Sequence, residues 1–340
     1  MTCLTGDTMS ELYIPIVALI AGLIGLVWGA DKFVNGSVGV AKNFGISSLV
    51  IGLTVVSIGT SAPEIIVSIN AALKDSGDLA VGNAIGSNLA NIGLVLGITA
   101  LIAPIPVKKY LLREESPILI VVTALAGFCL YDNQLDRFES MMLGILVLPI
   151  LIFMVKFKKN HQTSKKPSTT DEIEVTNIKL AVFWLTVGLL GLLVSAEITV
   201  WGAKSIASYF NVSDLMIGLT VIAIGTSLPE LAASVMSALR GHHDIALGNI
   251  FGSNLFNILL VMTTAGAISP ITLPNSLFGR DYAALAGMTI LMVGIVFISL
   301  AKAERQNKSP NISRMFGIVL LLAYCGYYII LWPSMAMAMA

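Results

Sequence analysis

Apolar runs of about twenty residues, separated by Pro, Gly or clustered charge, recur along the whole chain. A helix of about 20 such residues covers the roughly 30 Å hydrocarbon layer of a bilayer. The runs predict ten membrane-spanning helices. Helices 1 to 5 fall near 13–36, 47–73, 79–103, 115–131 and 138–157. Helices 6 to 10 fall near 179–208, 214–239, 244–268, 281–301 and 313–333. Between the sets, residues 158–177 are polar and mixed in charge. The expected organisation is a first five-helix unit over 1–157, a cytoplasmic linker over 158–178 and a second five-helix unit over 179–340, together one transmembrane domain.

The polar positions that interrupt this pattern are ordered. Residues 52–94 recur as residues 218–260, an offset of 166, without a gap and with about 24 of 43 positions identical. The first copy contains Gly59-Thr60-Ser61-Ala62-Pro63-Glu64 and the second Gly225-Thr226-Ser227-Leu228-Pro229-Glu230. The offset spans an odd number of predicted helices, so the copies enter the membrane in opposite directions. The fold class read from the chain is therefore an all-α polytopic membrane protein of ten helices, arranged as two inverted five-helix repeats. Such repeats carry ion sites at their interface.

A carboxylate within a span costs about 3 kcal/mol at the bilayer centre and marks a functional site by default. Glu64 and Glu230 occupy matched positions, and no Lys or Arg lies well inside the four central helices to neutralise them. Pro63 cannot donate to the helix ladder, which predicts a break in helix 2 and released carbonyls near Ser57. Thr60 and Ser61 add hydroxyl oxygens; Ala223, Thr226, Ser227 and Pro229 repeat these roles. On the next helix Asn83, Ser87 and Asn91 share one face, as do Asn249, Ser253 and Asn257. Carboxylate, amide, hydroxyl and carbonyl oxygen suit Ca²⁺ or Na⁺ rather than a thiophilic metal. Two carboxylates are neutralised by one Ca²⁺ or by two Na⁺, so the two cargoes would exclude each other. Gly82, Gly86, Gly248 and Gly252 are expected to permit close backbone approach.

Composition narrows the class further. Hydrophobic residues are 56% of the chain and charged residues 12%, half the charged share of a soluble domain. Cys3, Cys129 and Cys325 have no motif spacing, and His161, His242 and His243 fall in predicted loops. With the N-terminus placed outside, sixteen Lys and Arg fall on the inner side and four (Lys74, Arg137, Lys204 and Arg280) on the outer. By the positive-inside rule both termini lie outside the cytoplasm and the linker inside. Asp31 and Lys32 read as interfacial, and Glu197 as able to pair with Lys204. Neither a nucleotide-binding nor a hydrolase motif occurs, so the chain is not read as an enzyme. The partners expected are inorganic cations and the lipid bilayer, with no tightly bound cofactor, nucleic acid, nucleotide or required protein.

At the two Gly-Thr-Ser-x-Pro-Glu segments, and at Gly82 to Asn88 and Gly248 to Asn254, the chain resembles the Ca²⁺:cation antiporter superfamily, which includes the sodium/calcium exchangers, and within it the short prokaryotic members. The resemblance implies exchange of Ca²⁺ against Na⁺ across the cytoplasmic membrane by alternating access, through cation sites between helices 2, 3, 7 and 8. Carried over residue by residue, it implies Glu64 and Glu230 as shared carboxylates. Thr60, Ser61, Thr226, Ser227, Ser87 and Ser253 follow as hydroxyl or carbonyl ligands, Ser57 and Ala223 as backbone ligands. Helices 1 and 6 would be the sliding pair. Related exchangers often carry Asp at the position of Asn91 or Asn257; here both are Asn, which leaves a third Na⁺ without a third charge. A proton/Ca²⁺ exchanger is the alternative, and a cation channel the reading from another class.

Overall fold

The structure, a computed structural model, describes residues 6–162, 177–210, 221 and 223–337. Helix occupies every predicted window. Helix 1 is Gly6–Phe44, helix 3 is Gly77–Ile102, helix 6 is Ile178–Tyr209 and helix 8 is His243–Ile268. Helix 2 is a bent pair, Ser48–Thr60 and Ala62–Leu73. Helix 4 ends as Ser116–Cys129, and helix 5 is Arg137–Ile145 followed by Val147–Gln162. Helix 7 is described over Ala223–Thr226 and Leu228–Leu239; its predicted start at 214 lies outside the described residues. Helix 9 is Leu277–Gln306 and helix 10 is Arg314–Met337. Among the described residues seven helices are long and apolar enough to cross a membrane, and the bent pair makes an eighth. Most of the predicted linker, residues 163–176, also lies outside the described residues.

The 166-residue offset extends beyond the repeated motif. π-Helical turns begin at Asn91 and Asn257, and at Leu111 and Leu277. Strands β1 (Ile105–Pro106) and β3 (Ile271–Thr272) also stand in this relation. β1 pairs with β4 (Asn311–Ile312), and β2 (Gln134–Leu135) pairs with β3. Each two-residue ladder thus joins one half of the chain to the other.

Helix 1 is longer than its apolar window of 13–36, because Ser37 to Phe44 prolong it past the hydrophobic run. It packs antiparallel on helix 6 along a seam of small residues. A Cβ built on Gly22 would meet the Thr199 amide at 2.8 Å, one on Gly29 the Leu192 amide at 2.7 Å, and one on Gly36 the Leu185 amide at 2.2 Å. A Cβ on Gly188, the counterpart of Gly22, would clash with the Phe33 amide. The contacts map onto themselves when the repeats are exchanged, so the two halves are inverted in the fold itself.

Charged groups collect at the ends. One end, called the basic end below, carries the Lys108–Asp244 pair at 2.5 Å, the Lys109–Glu304 pair at 3.6 Å and the Arg240–Asp31 pair. β1 and β4 lie there, and β2 and β3 at the other end. Lys32, Lys108, Lys109 and Arg240, four of the residues that charge counting assigned to one side of the membrane, stand at this end. Glu197 forms no ion pair with Lys204 among the described residues, because residues seven apart stand about 10 Å apart along a helix.

Candidate cation site

Both Gly-Thr-Ser-x-Pro-Glu segments fold in the same way. Helix 2 bends by 44° between Thr60 and Ala62. Ser61 at φ −81°, ψ 7° and Ser227 at φ −87°, ψ 4° leave the α region, and a Pro follows in the first turn of the next helix. Pro fits there because the first turn has no helical use for its N–H. Glu64 and Glu230 then sit in the first turn of Ala62–Leu73 and Leu228–Leu239. The positive end of each half-helix dipole faces its own carboxylate. The carbonyl of Ser57 is not released: it accepts the Ser61 N–H at 3.0 Å. Pro63 instead deletes the ladder donor to Gly59, four residues before it. On the second copy the Ser227 N–H bonds to the Ile224 carbonyl at 3.1 Å, and Ala223 opens the described helix.

These breaks meet helices 3 and 8 in the centre of the fold. Helix 8 lies against helix 2 at glycine contacts: a Cβ on Gly248 would stand 2.7 Å from the Leu49 carbonyl, and one on Gly252 2.3 Å from the Ser57 hydroxyl. No described atom lies within 4 Å of such a Cβ on Gly82 or Gly86; residues 211–220, the counterpart of the segment met by helix 8, are outside the described residues.

The candidate ligands are deeply buried. Glu64 and Glu230 are each 1% exposed, and Ser57, Thr60, Ser61, Ser87, Asn91, Ser227, Ser253 and Asn257 are all buried. Thr226 is half-buried. The Ser61 hydroxyl donates to Glu230 at 2.9 Å, and Thr60 donates to the Asn249 side-chain oxygen at 3.1 Å. Asn249 in turn donates to Ser234 at 2.9 Å and to the Glu230 carbonyl at 3.3 Å. Helices 3 and 8 are joined by the Asn88 amide, which donates to the Asn254 carbonyl at 3.1 Å.

Around these bonds lies a set of polar atoms without protein partners. Both carboxylate oxygens of Glu64, Oε2 of Glu230, the hydroxyls of Ser87, Ser227 and Ser253, and the amides of Asn91 and Asn257 make no hydrogen bond among the described residues. Neither carboxylate has an ion-pair partner among the described residues. A buried charge left so is costly unless a cation or a proton satisfies it. No cluster of three or more His, Cys, Asp or Glu side chains occurs among the described residues. The donor set is therefore oxygen-rich, with two carboxylates. Sequence reading singled out neither Ser68 nor Ser234, one turn beyond each glutamate. Their identity in the two copies was the available signal.

Two broken helices of opposite direction, meeting at paired buried carboxylates in a helical membrane protein, define a cation exchanger rather than an enzyme. The chain belongs to the sodium/calcium exchanger protein family, whose model matches residues 14–156 and 180–332. Inner membrane protein YrbG of Escherichia coli is 40% identical over 89% of this chain and 92% of its own length. Sodium/calcium exchanger MaX1 of Methanosarcina acetivorans is 28% identical over 94% of this chain and 99% of its own. The solved structure of the sodium-calcium exchanger NCX_Mj, soaked with Na⁺ and Ca²⁺, superposes with a TM-score of 0.77 at 33% identity, over 95% of this chain and 98% of that one. The protein is thus an integral membrane exchanger of Ca²⁺ against another cation.

Proposed function

We propose that the counter-ion is Na⁺ and that Ca²⁺ and Na⁺ compete for the cation sites between helices 2, 3, 7 and 8. The observation that carries this reading is the pair of buried glutamates with bare oxygens and no cationic partner. Glu64 and Glu230 neutralise the cargo. Ser61, Ser87, Ser227, Ser253, Thr60 and Thr226 supply hydroxyl or carbonyl oxygens, Asn91 and Asn257 amide oxygens, and Ser57 and Ala223 backbone oxygens. With both Asn neutral, the site holds a charge of −2, which fits one Ca²⁺ for two Na⁺. Ten crossings, the division at 158–178 and both termini outside a prokaryotic cytoplasmic membrane complete the proposal.

The test is Ca²⁺ uptake into proteoliposomes loaded with Na⁺ and diluted into Na⁺-free buffer. Uptake that collapses when internal Na⁺ is replaced by choline supports the reading. The bare Glu64 oxygens also suit protonation, so uptake driven by a pH gradient without Na⁺ would favour proton/Ca²⁺ exchange. Flux that needs no counter-ion would indicate a channel.

A further inference from the structure

The ion pair between Asp31 on helix 1 and Arg240 at the end of helix 7 has a repeat counterpart that stands apart. Shifted by 166 residues, Asp31 becomes Glu197 on helix 6, and Arg240 becomes Lys74 at the end of helix 2: again an acid and a base. Asp31 and Arg240 are bridged at the basic end. Glu197 and Lys74 are both exposed and form no ion pair among the described residues.

Two other sets of residues differ in the same sense. Helix 1 packs along Leu228–Leu239, whereas helix 6 scarcely meets Ala62–Leu73, the equivalent half-helix. In the site, Thr60 and Ser61 on the basic-end half of helix 2 engage Asn249 and Glu230. The counterparts of Ser61 and Glu230 across the site, the Ser227 hydroxyl and the Glu64 carboxylate, make no hydrogen bond among the described residues. Among the described residues, the contacts that tie helix 1, helix 7 and the site together are thus fuller at the basic end than at the other.

We propose that Asp31–Arg240 and Glu197–Lys74 are alternating latches of the exchange cycle, each made when its own end is shut and released when that end opens. The inference rests on the exchange reading above. An acid on a helix of the small-residue seam and a base at the tip of a broken helix measure the separation of those two elements directly. The pair stands beside Leu23, Val27, Trp28 and Met236. Lys32 adds a second cation 3.8 Å from Asp31 and lies over the Trp184 ring; its counterpart is Ile198. The basic-end latch is therefore the stronger.

The experiment uses the full chain with Cys3→Ala, Cys129→Ala and Cys325→Ala, first shown to transport. One variant adds Asp31→Cys with Arg240→Cys, the other Lys74→Cys with Glu197→Cys. A short bis-maleimide is applied to membranes in buffer holding both Na⁺ and Ca²⁺. Both pairs are expected to cross-link, and each link to stop transport. Linking at 31/240 with none at 74/197 would overturn the proposal. A second measurement adds Lys74→Gln to the 31/240 variant. Loss of an exposed pair is worth about twofold to fivefold in population, so 31/240 linking should speed up by that factor, and an unchanged rate would also overturn it. Cross-linking needs no knowledge of the cargo. Failure of Na⁺-dependent uptake in the cysteine-free background would count against the exchange reading alone.

Discussion

Ser61 donates a hydrogen bond to Glu230 at 2.9 Å, from one repeat to the other, while the hydroxyl of Ser227, its counterpart, has no partner among the described residues. The two serines are thus identical in sequence and unequal in place. A hydrogen bond to a charged group is worth about 1.5–3 kcal/mol. Ser61→Ala should raise the Ca²⁺ concentration for half-maximal uptake roughly tenfold or more, and Ser227→Ala by less. Initial rates over a Ca²⁺ series would measure both, and equal effects would contradict the asymmetry.

Glu64→Gln and Glu230→Gln remove one charge each from a site that has two. Each should lower Ca²⁺ flux at least about a hundredfold, since a lost buried charge interaction costs about 3 kcal/mol or more. Yield and monodispersity in detergent should hold, because the neutral amide is cheaper to bury. Ca²⁺ uptake and size-exclusion profiles on the same preparations check this together.

Gly248→Ala and Gly252→Ala test the contact between helices 2 and 8. The added methyl at 248 meets backbone, which cannot rotate away, and that at 252 meets the Ser57 hydroxyl and the Leu53 carbonyl. Overpacking of this kind costs about 1–3 kcal/mol. Both variants should melt several degrees lower in a thermal-shift assay in detergent, with Gly326→Ala, where a Cβ meets no described atom within 4 Å, as the control.

The proposed exchange of one Ca²⁺ for two Na⁺, suggested by two carboxylates and two neutral asparagines, is electroneutral. The Ca²⁺ gradient at which net flux stops should then be indifferent to a K⁺ diffusion potential set with valinomycin. Asn257→Asp adds a third charge at a buried position whose amide has no partner. It should favour a third monovalent ion and make that balance point voltage-dependent. Measuring the balance point at two potentials, in wild type and variant, distinguishes the stoichiometries.

The helices were legible because membrane burial writes itself as long apolar runs, and the glutamates because no Lys or Arg lies well inside the four central helices to pair with them. The break at Pro63 was legible from the missing N–H. The identity of the affected carbonyl was not: Ser57 keeps its ladder bond through Ser61, which a reading of composition alone does not reveal. The bonds Thr60 to Asn249 and Ser61 to Glu230 join residues 189 and 169 apart. Only the antiparallel meeting of the repeats brings them together. The Asp31–Arg240 pair stayed hidden for the same reason: each residue alone looked like an ordinary interfacial charge.

The two small ladders, β1 with β4 and β2 with β3, have a mechanical meaning. They stitch the loops around helices 3 to 5 to those around helices 8 to 10, one stitch at each rim, and none includes a residue of helix 1 or helix 6. The protein is accordingly a riveted frame with two smooth rods lying across it. If helices 1 and 6 are the sliding pair that the family resemblance implies, every rivet can stay in place while the rods travel.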